Sequence, residues 1–198
     1  VTGTLVKGPL EKAVVFADLD GDGKLGPNEP SAVTDKDGNY EFESSDLTAT
    51  LVATTTEETV DKSSGEILAN VTLKAPAGST VITPATTILE ATPDIQPEQL
   101  AAVLGIPTKA ADGTAIDITT FNPYSETADP AAALAAEKAA QSVMVTIKAV
   151  SAAAEGAGLS EDMAFEQAMA SVTEVVAEVA KTVVVEPAAV VPVADTVT

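Results

Sequence analysis

The sequence has no cysteine, histidine, arginine or tryptophan, and only four Phe and two Tyr in 198 residues. Each absence removes a chemistry. Without His or Cys there is no Ser-His-Asp triad, no thiolate nucleophile, no zinc site on sulfur or imidazole, and no disulfide. Positive charge is scarce as well: ten Lys stand against 30 acidic residues, for a formal net charge of −20. That balance has the wrong sign for a nucleic-acid groove. With no Trp and two Tyr, aromatic platforms for sugar stacking are thin. What is left is oxygen: carboxylates, hydroxyls and main-chain carbonyls, which are ligands for hard cations such as Ca²⁺.

Long apolar runs are missing too. None approaches ~18 residues, so no membrane-spanning helix is expected, and the opening residues do not read as a signal peptide. A chain that opens on Val reads as processed or excised from a longer one. The acidity is spread along the chain, −9 over residues 1–91 and −11 over 92–198. Self-repulsion of this size favours solubility and is relieved by cations. Calcium is millimolar outside cells, so the expected location is secreted or cell-surface. Asn70-Val71-Thr72 matches a glycosylation sequon, which chance also supplies.

Composition changes along the chain. Residues 1–82 are rich in Thr, Val, Asp and Gly, and they predict short strands near Thr2–Val6, Lys12–Ala17, Ala32–Thr34, Tyr40–Glu43, Leu47–Thr55 and Glu66–Leu73. Six strands with close turn signals suggest an antiparallel β-sandwich. Residues 83–181 are Ala-rich with helical spacing. Thr83-Pro84 predicts an N-cap and a helix to about Ala91, and Pro97–Leu104 predicts another closed by Gly105. Residues 107–128 read as a loop-rich connector. The stripes Ala136, Ala140, Val143, Ile147, Val150, Ala154 and Phe165, Met169, Val172, Val176, Val179, Val183 predict two helices in an αα-hairpin, the second capped by Ser160. The class is therefore α+β, with a sandwich over 1–82, a helical part over 83–181 and an extended tail over 182–198.

The tail is Val-rich and interrupted by Pro187 and Pro192, so it cannot continue a helix and favours an extended strand. Val183, Val185, Val190, Val191, Val193 and Val197 are candidate oligomerisation residues. The tail either docks on its own domain or adds as a strand to a neighbouring subunit.

One motif carries chemistry. Asp18-Leu-Asp20-Gly-Asp22-Gly23-Lys24-Leu-Gly-Pro-Asn-Glu29 matches the twelve-position calcium loop D-x-D-x-D-G-x₅-E at every specified position. Ca²⁺ takes six to eight oxygens. Asp18, Asp20 and Asp22 would turn side chains inward as the chain curls, and Gly23 permits the sharp turn. Lys24 would offer its carbonyl and Glu29 two closing oxygens. The flanks differ from an EF-hand: Ala13–Ala17 reads as strand, and Pro30 follows the loop. The expected site is structural, pinning a loop between strands. Asp35 and Asp37, in Asp35-Lys-Asp37-Gly38-Asn39, read either as a β-turn or as lenders of an oxygen to an ion.

The run Gly3-Thr-Leu-Val, Gly8-Pro-Leu, Ala13-Val-Val-Phe-Ala-Asp-Leu-Asp-Gly-Asp-Gly, Glu29-Pro and Thr34-Asp-Lys-Asp-Gly-Asn-Tyr40-Glu-Phe42 resembles the calcium-binding B-type repeats of serine-aspartate surface adhesins. It is also similar to carboxypeptidase-regulatory-like β-sandwich modules. The resemblance covers about 45 residues. It implies a prealbumin-like or Ig-like sandwich, a surface protein, and Asp18, Asp20, Asp22 and Glu29 as ligands. Val81–Thr87, Leu104–Pro107 and Thr120–Pro123 resemble, more loosely, the helical part that follows such modules in bacterial surface proteins. The expected function is non-enzymatic: a subunit of a calcium-stabilised fibre, matrix or surface layer that self-associates by strand donation. The alternative is a calcium-stiffened module of a large surface adhesin that binds a protein or carbohydrate ligand.

Overall fold

The computed structural model describes residues 1–44 and 48–183. Val185, Val190, Val191, Val193 and Val197, and Leu47 at the head of one predicted strand, lie outside the described residues. The class is α+β, with nine strands and four helices among the described residues.

Short Val/Thr segments between Gly- and Asp-bearing turns give β1 (Thr2–Leu5), β2 (Leu10–Glu11), β3 (Val14–Asp18), β4 (Ser31–Val33), β5 (Asn39–Glu41), β6 (Thr50–Thr54), β7 (Val60–Asp61), β8 (Thr72–Ala75) and β9 (Val81–Ile82). They form a four-stranded sheet β4-β3-β6-β8, a three-stranded sheet β5-β1-β9 and the pair β2-β7. All pairings are antiparallel except β1 with β9, which an all-antiparallel arrangement does not contain. β9 can pair in parallel because most of the strand region intervenes between it and β1, far more chain than a crossover needs.

The predicted strand Glu66–Leu73 is displaced to Thr72–Ala75. Asn70 sits at φ 55°, in the left-handed region, and this breaks the extended chain just before β8. β7 and β9 are two-residue strands, too short for an alternation signal.

Pleat parity fixes which side chains meet. Val15 and Ala17 of β3, Leu51 and Ala53 of β6, and Leu73 and Ala75 of β8 share one face and join the main core. Leu5, Tyr40 and Ile82 from the three-stranded sheet enter the same core. Phe16 and Val52 are fully buried on the second face, in register with Lys74.

The helices are α1 (Pro84–Glu90), α2 (Pro97–Leu104), α3 (Pro130–Gly156) and α4 (Glu161–Ala180). α1 has the expected start: Thr83 Oγ1 accepts from Thr86 N at 3.0 Å and Thr86 Oγ1 accepts from Thr83 N at 2.8 Å, a reciprocal capping box. Removing the cap hydroxyl with Thr83→Ala is expected to cost about 1 kcal/mol in thermal or urea unfolding. An unchanged midpoint would show that α1 is held by packing alone. α2 ends on Gly105 at φ 71°, as its sequence predicts.

α3 and α4 pack as the expected hairpin: Val143, Ile147 and Phe165 of the predicted stripes are buried, and Ala136, Met169, Val172 and Val176 pack partly buried against the core. On α3 the buried residues are Ala132, Ala139, Val143, Met144, Ile147 and Ser151; on α4 they are Ala164, Phe165, Ala168, Thr173, Ala177 and Ala180. Small residues dominate the buried set of α4, Val143, Met144 and Ile147 anchor that of α3, and Val150 and Val179 face solvent. Ser160 precedes α4, yet its hydroxyl makes no capping hydrogen bond. Asp129, not singled out in the sequence, caps α3 by accepting from Ala131 N and Ala132 N. The core is continuous from the sheets to Ala180. No helix among the described residues is long and apolar enough to cross a membrane.

Candidate metal centre

β3 delivers Asp18 at its last position, paired in register with Thr50 of β6, and buries it to 7% exposure. The chain then leaves the sheet and returns at β4, clasped by Ala17 N donating to Pro30 O at 3.1 Å. Between these points the loop folds on its own carboxylates. Asp18 Oδ1 accepts from Gly21 N at 2.8 Å and Oδ2 from Gly23 N at 2.9 Å. Asp20 Oδ1 accepts from Asp22 N at 3.2 Å, and Asp22 Oδ1 from Lys24 N at 2.7 Å. Gly23 stands at φ 72°, a conformation that side chains rarely adopt.

This curl brings carboxylate oxygens of Asp18, Asp20 and Asp22 within 4.8 Å of one another. Two oxygens on opposite sides of a calcium ion are about 4.8 Å apart, twice a typical Ca–O distance. Three such oxygens therefore fit one coordination sphere. The group could hold a metal ion. Three mutually close carboxylates repel, and main-chain N–H donors offset part of that repulsion. The side chains of Asp20 and Asp22 are exposed, so water completes whatever the protein does not supply.

The other predicted ligands are placed differently. Glu29 lies outside the mutually close trio: its Oε1 accepts from Leu19 N and its Oε2 from Gly26 N, both at 2.7 Å. It thereby ties the start of the loop to its end. Lys24 donates its N–H to Asp22. Asp35 accepts from Asp37 N and Asn39 N at 2.9 Å and from Asn39 Nδ2 at 3.2 Å, closing a turn on itself. Slight burial works to raise the Asp35 pKa, but the bonds from Asn39 and Asp37 outweigh it and hold the carboxyl below its ordinary value. Asp37 pairs with Lys36. The turn reading of 35–39 thus describes what the structure contains, and neither carboxylate joins the trio.

One neighbour was not legible in the motif. Lys74 of β8 brings Nζ to 3.2 Å from where a Cβ on Gly23 would stand. It lies some fifty residues away in sequence and arrives through the β6–β8 register. Beside it a groove runs between the second sheet face and α4, lined by Asp18, Thr50, Lys74, Phe165, Met169 and Thr173.

Comparison with protein-family models, with curated proteins and with solved structures finds no match. The resemblance to surface-protein repeats rests on the residues quoted for it.

Proposed function

We propose that this chain is an extracellular structural protein, a subunit of a calcium-stabilised fibre, matrix or surface layer. The observation that carries the reading is the Asp18–Asp20–Asp22 trio on a loop that joins two strands of the main sheet. A cation there stiffens a β-hairpin and has no helix pair to open, so the role is structural and not that of a sensor. The net charge of −20 opposes association until cations screen it. The tail sequence, rich in Val and interrupted by Pro187 and Pro192, has the composition of a segment that adds to a sheet edge.

Isothermal titration with calcium tests the metal half of this reading. The expected dissociation constant is in the range of roughly 10⁻⁴–10⁻³ M typical of extracellular modules. No heat and no thermal shift at several-millimolar calcium would sink it. Sedimentation velocity of the full chain with and without calcium tests the other half; the expected result is growth with protein concentration.

The second reading is a calcium-stiffened module of a large adhesin that binds a protein or glycan. The groove beside α4 favours it, because Thr173 lines that groove and its buried Oγ1 has no hydrogen-bond partner among the described residues. A monomer at every concentration, with chemical shifts at Thr173 moved by a ligand, would select this reading over the first.

A further inference from the structure

The two larger sheets have four outer edges, and among the described residues the chain caps main-chain groups on three of them. At β8, Lys74 N donates to Thr87 Oγ1 at 2.9 Å, and Lys74 O accepts from Thr86 Oγ1 at 2.9 Å and Thr87 Oγ1 at 3.2 Å. Helix α1 therefore caps that edge at Lys74. At β9, Thr80 N and Val81 N donate to Thr119 O at 2.9 and 3.2 Å. At β5, Asp35 takes both main-chain groups of Asn39, receiving its N–H on Oδ1 and donating to its carbonyl.

The β4 edge is different. Thr34 N donates to Ala13 O at 2.9 Å and Ala17 N to Pro30 O at 3.1 Å. Bonded pairs alternate along an antiparallel ladder, so Pro30, Ala32 and Thr34 face β3. Ser31 and Val33 then turn their N–H and C=O groups away from it. Both side chains are exposed, Val33 at 62%. The strand, Ser31-Ala32-Val33, carries no Lys, Glu or Pro, the residues that usually blunt an edge.

We propose that β4 is the acceptor edge for the tail of a second copy, with Val191 and Val193 of the neighbour paired beside Ser31 and Val33. The inference rests on the self-association reading above and names its surface. Fifteen residues follow Val183, enough to extend about 50 Å. The last described residue is Val183, whose carbonyl accepts from Gln99 Nε2 at 3.1 Å on α2. Pro192 has no N–H, so an added strand tolerates it only with that position facing solvent. Its neighbours Val191 and Val193 must then turn their main-chain groups inward. Their two-residue spacing matches that of Ser31 and Val33. The aspartate loop ends at Glu29, directly before Pro30 and β4, so a cation that fixes the loop also fixes the edge.

The test uses full-length chain throughout. Sedimentation velocity in calcium compares wild type with Val33→Pro, Val33→Lys and the tail variant Val191→Glu/Val193→Glu, each with a thermal melt to confirm folding. Val33→Lys leaves the backbone intact and so covers the case in which the proline variant fails to fold. Wild type should associate, and all three variants should lose about tenfold or more in association constant, Val33→Pro through a lost main-chain bond and the other two through charge placed in an apolar contact. The chain has no cysteine, so single Val33→Cys and Val191→Cys chains can be mixed and oxidised without ambiguity; a mixed disulfide between the two chains is expected. If wild type associates through its tail while both Val33 variants match it and no mixed disulfide forms, β4 is not the acceptor and self-association still stands. If wild type stays monomeric, or the tail variant associates as well as wild type, tail-mediated self-association itself fails and takes this inference with it. A disulfide that closes only within a double-cysteine chain also overturns it, by placing the tail on its own edge.

Discussion

Calcium at about a hundred times its dissociation constant should raise the melting temperature by roughly 5–10 °C. Ligand linkage at that saturation contributes about 2.7 kcal/mol, and a chain of this size shifts about 2–4 °C per kcal/mol. Asp18→Asn should abolish the shift. Asp18 is the one buried member of the trio, and each of its oxygens already organises the loop through Gly21 and Gly23. Asparagine removes the charge and replaces one acceptor with a donor facing an N–H. That variant should therefore also be less stable without calcium. Asp20→Asn and Asp22→Asn should leave the calcium-free protein nearly unchanged, since both side chains are exposed, yet weaken binding. A protein of charge −20 gains stability from any salt, so sodium chloride at matched ionic strength is the control. Magnesium is a second control, because it demands a tighter octahedral sphere. An equal shift in wild type and Asp18→Asn would mean that general screening, and not the loop, is responsible.

The loop was legible because its spacing is local: alternate Asp residues and a glycine at the turn act within six residues, and the chain curls as the pattern requires. The helix starts were legible for the same reason. Thr83-Pro84 encodes a cap that needs no tertiary partner, and Gly105 supplies a left-handed terminus. What failed was non-local. The ends of the predicted stripes, Val150 and Val179, face solvent while Ala132, Ala168 and Ala177 are buried, because which residues the partner helix covers is a comparison one helix cannot make alone. Glu29 reads as a closing ligand, and its oxygens also accept from the N–H groups of Leu19 and Gly26, tying the start of the loop to its end. Lys74 beside Gly23 depends on strand register and leaves no trace in the motif. The Lys7–Asp61 pair went unnoticed as well, for it joins two loop-flanking residues 54 positions apart.

Asp61→Ala should cost about 3 kcal/mol or more, the largest single loss expected outside the apolar core. Asp61 is 1% exposed and accepts from Lys7 Nζ at 2.5 Å, Ser63 N at 2.9 Å and Ser63 Oγ at 2.6 Å. Gly8 packs so closely on Asp61 and Ser63 that a Cβ there would clash with both, which leaves little room to rearrange. Removing one partner of a buried pair strands the other charge, and that typically costs about 3–5 kcal/mol. The lower end applies because the Lys7 side chain is 15% exposed and can turn toward water. Replacing both residues, with Lys7→Met and Asp61→Ala together, should cost less than Asp61→Ala alone, since no charge is left unpaired. The pair also sets a pH dependence. Burial works to raise the Asp61 pKa, but the hydrogen bonds from Lys7 and Ser63 and the Lys7 charge outweigh it, so the carboxyl is held below its ordinary 3.8. A carboxyl whose pKa is lower when folded stabilises the fold above the unfolded value. That contribution fades as pH falls from about 4 through the folded pKa. Melts of wild type and Asp61→Ala taken from neutral pH downward should therefore converge in acid. Curves that remain parallel to the lowest pH would show that the loss comes from packing around Gly8 and not from the ion pair.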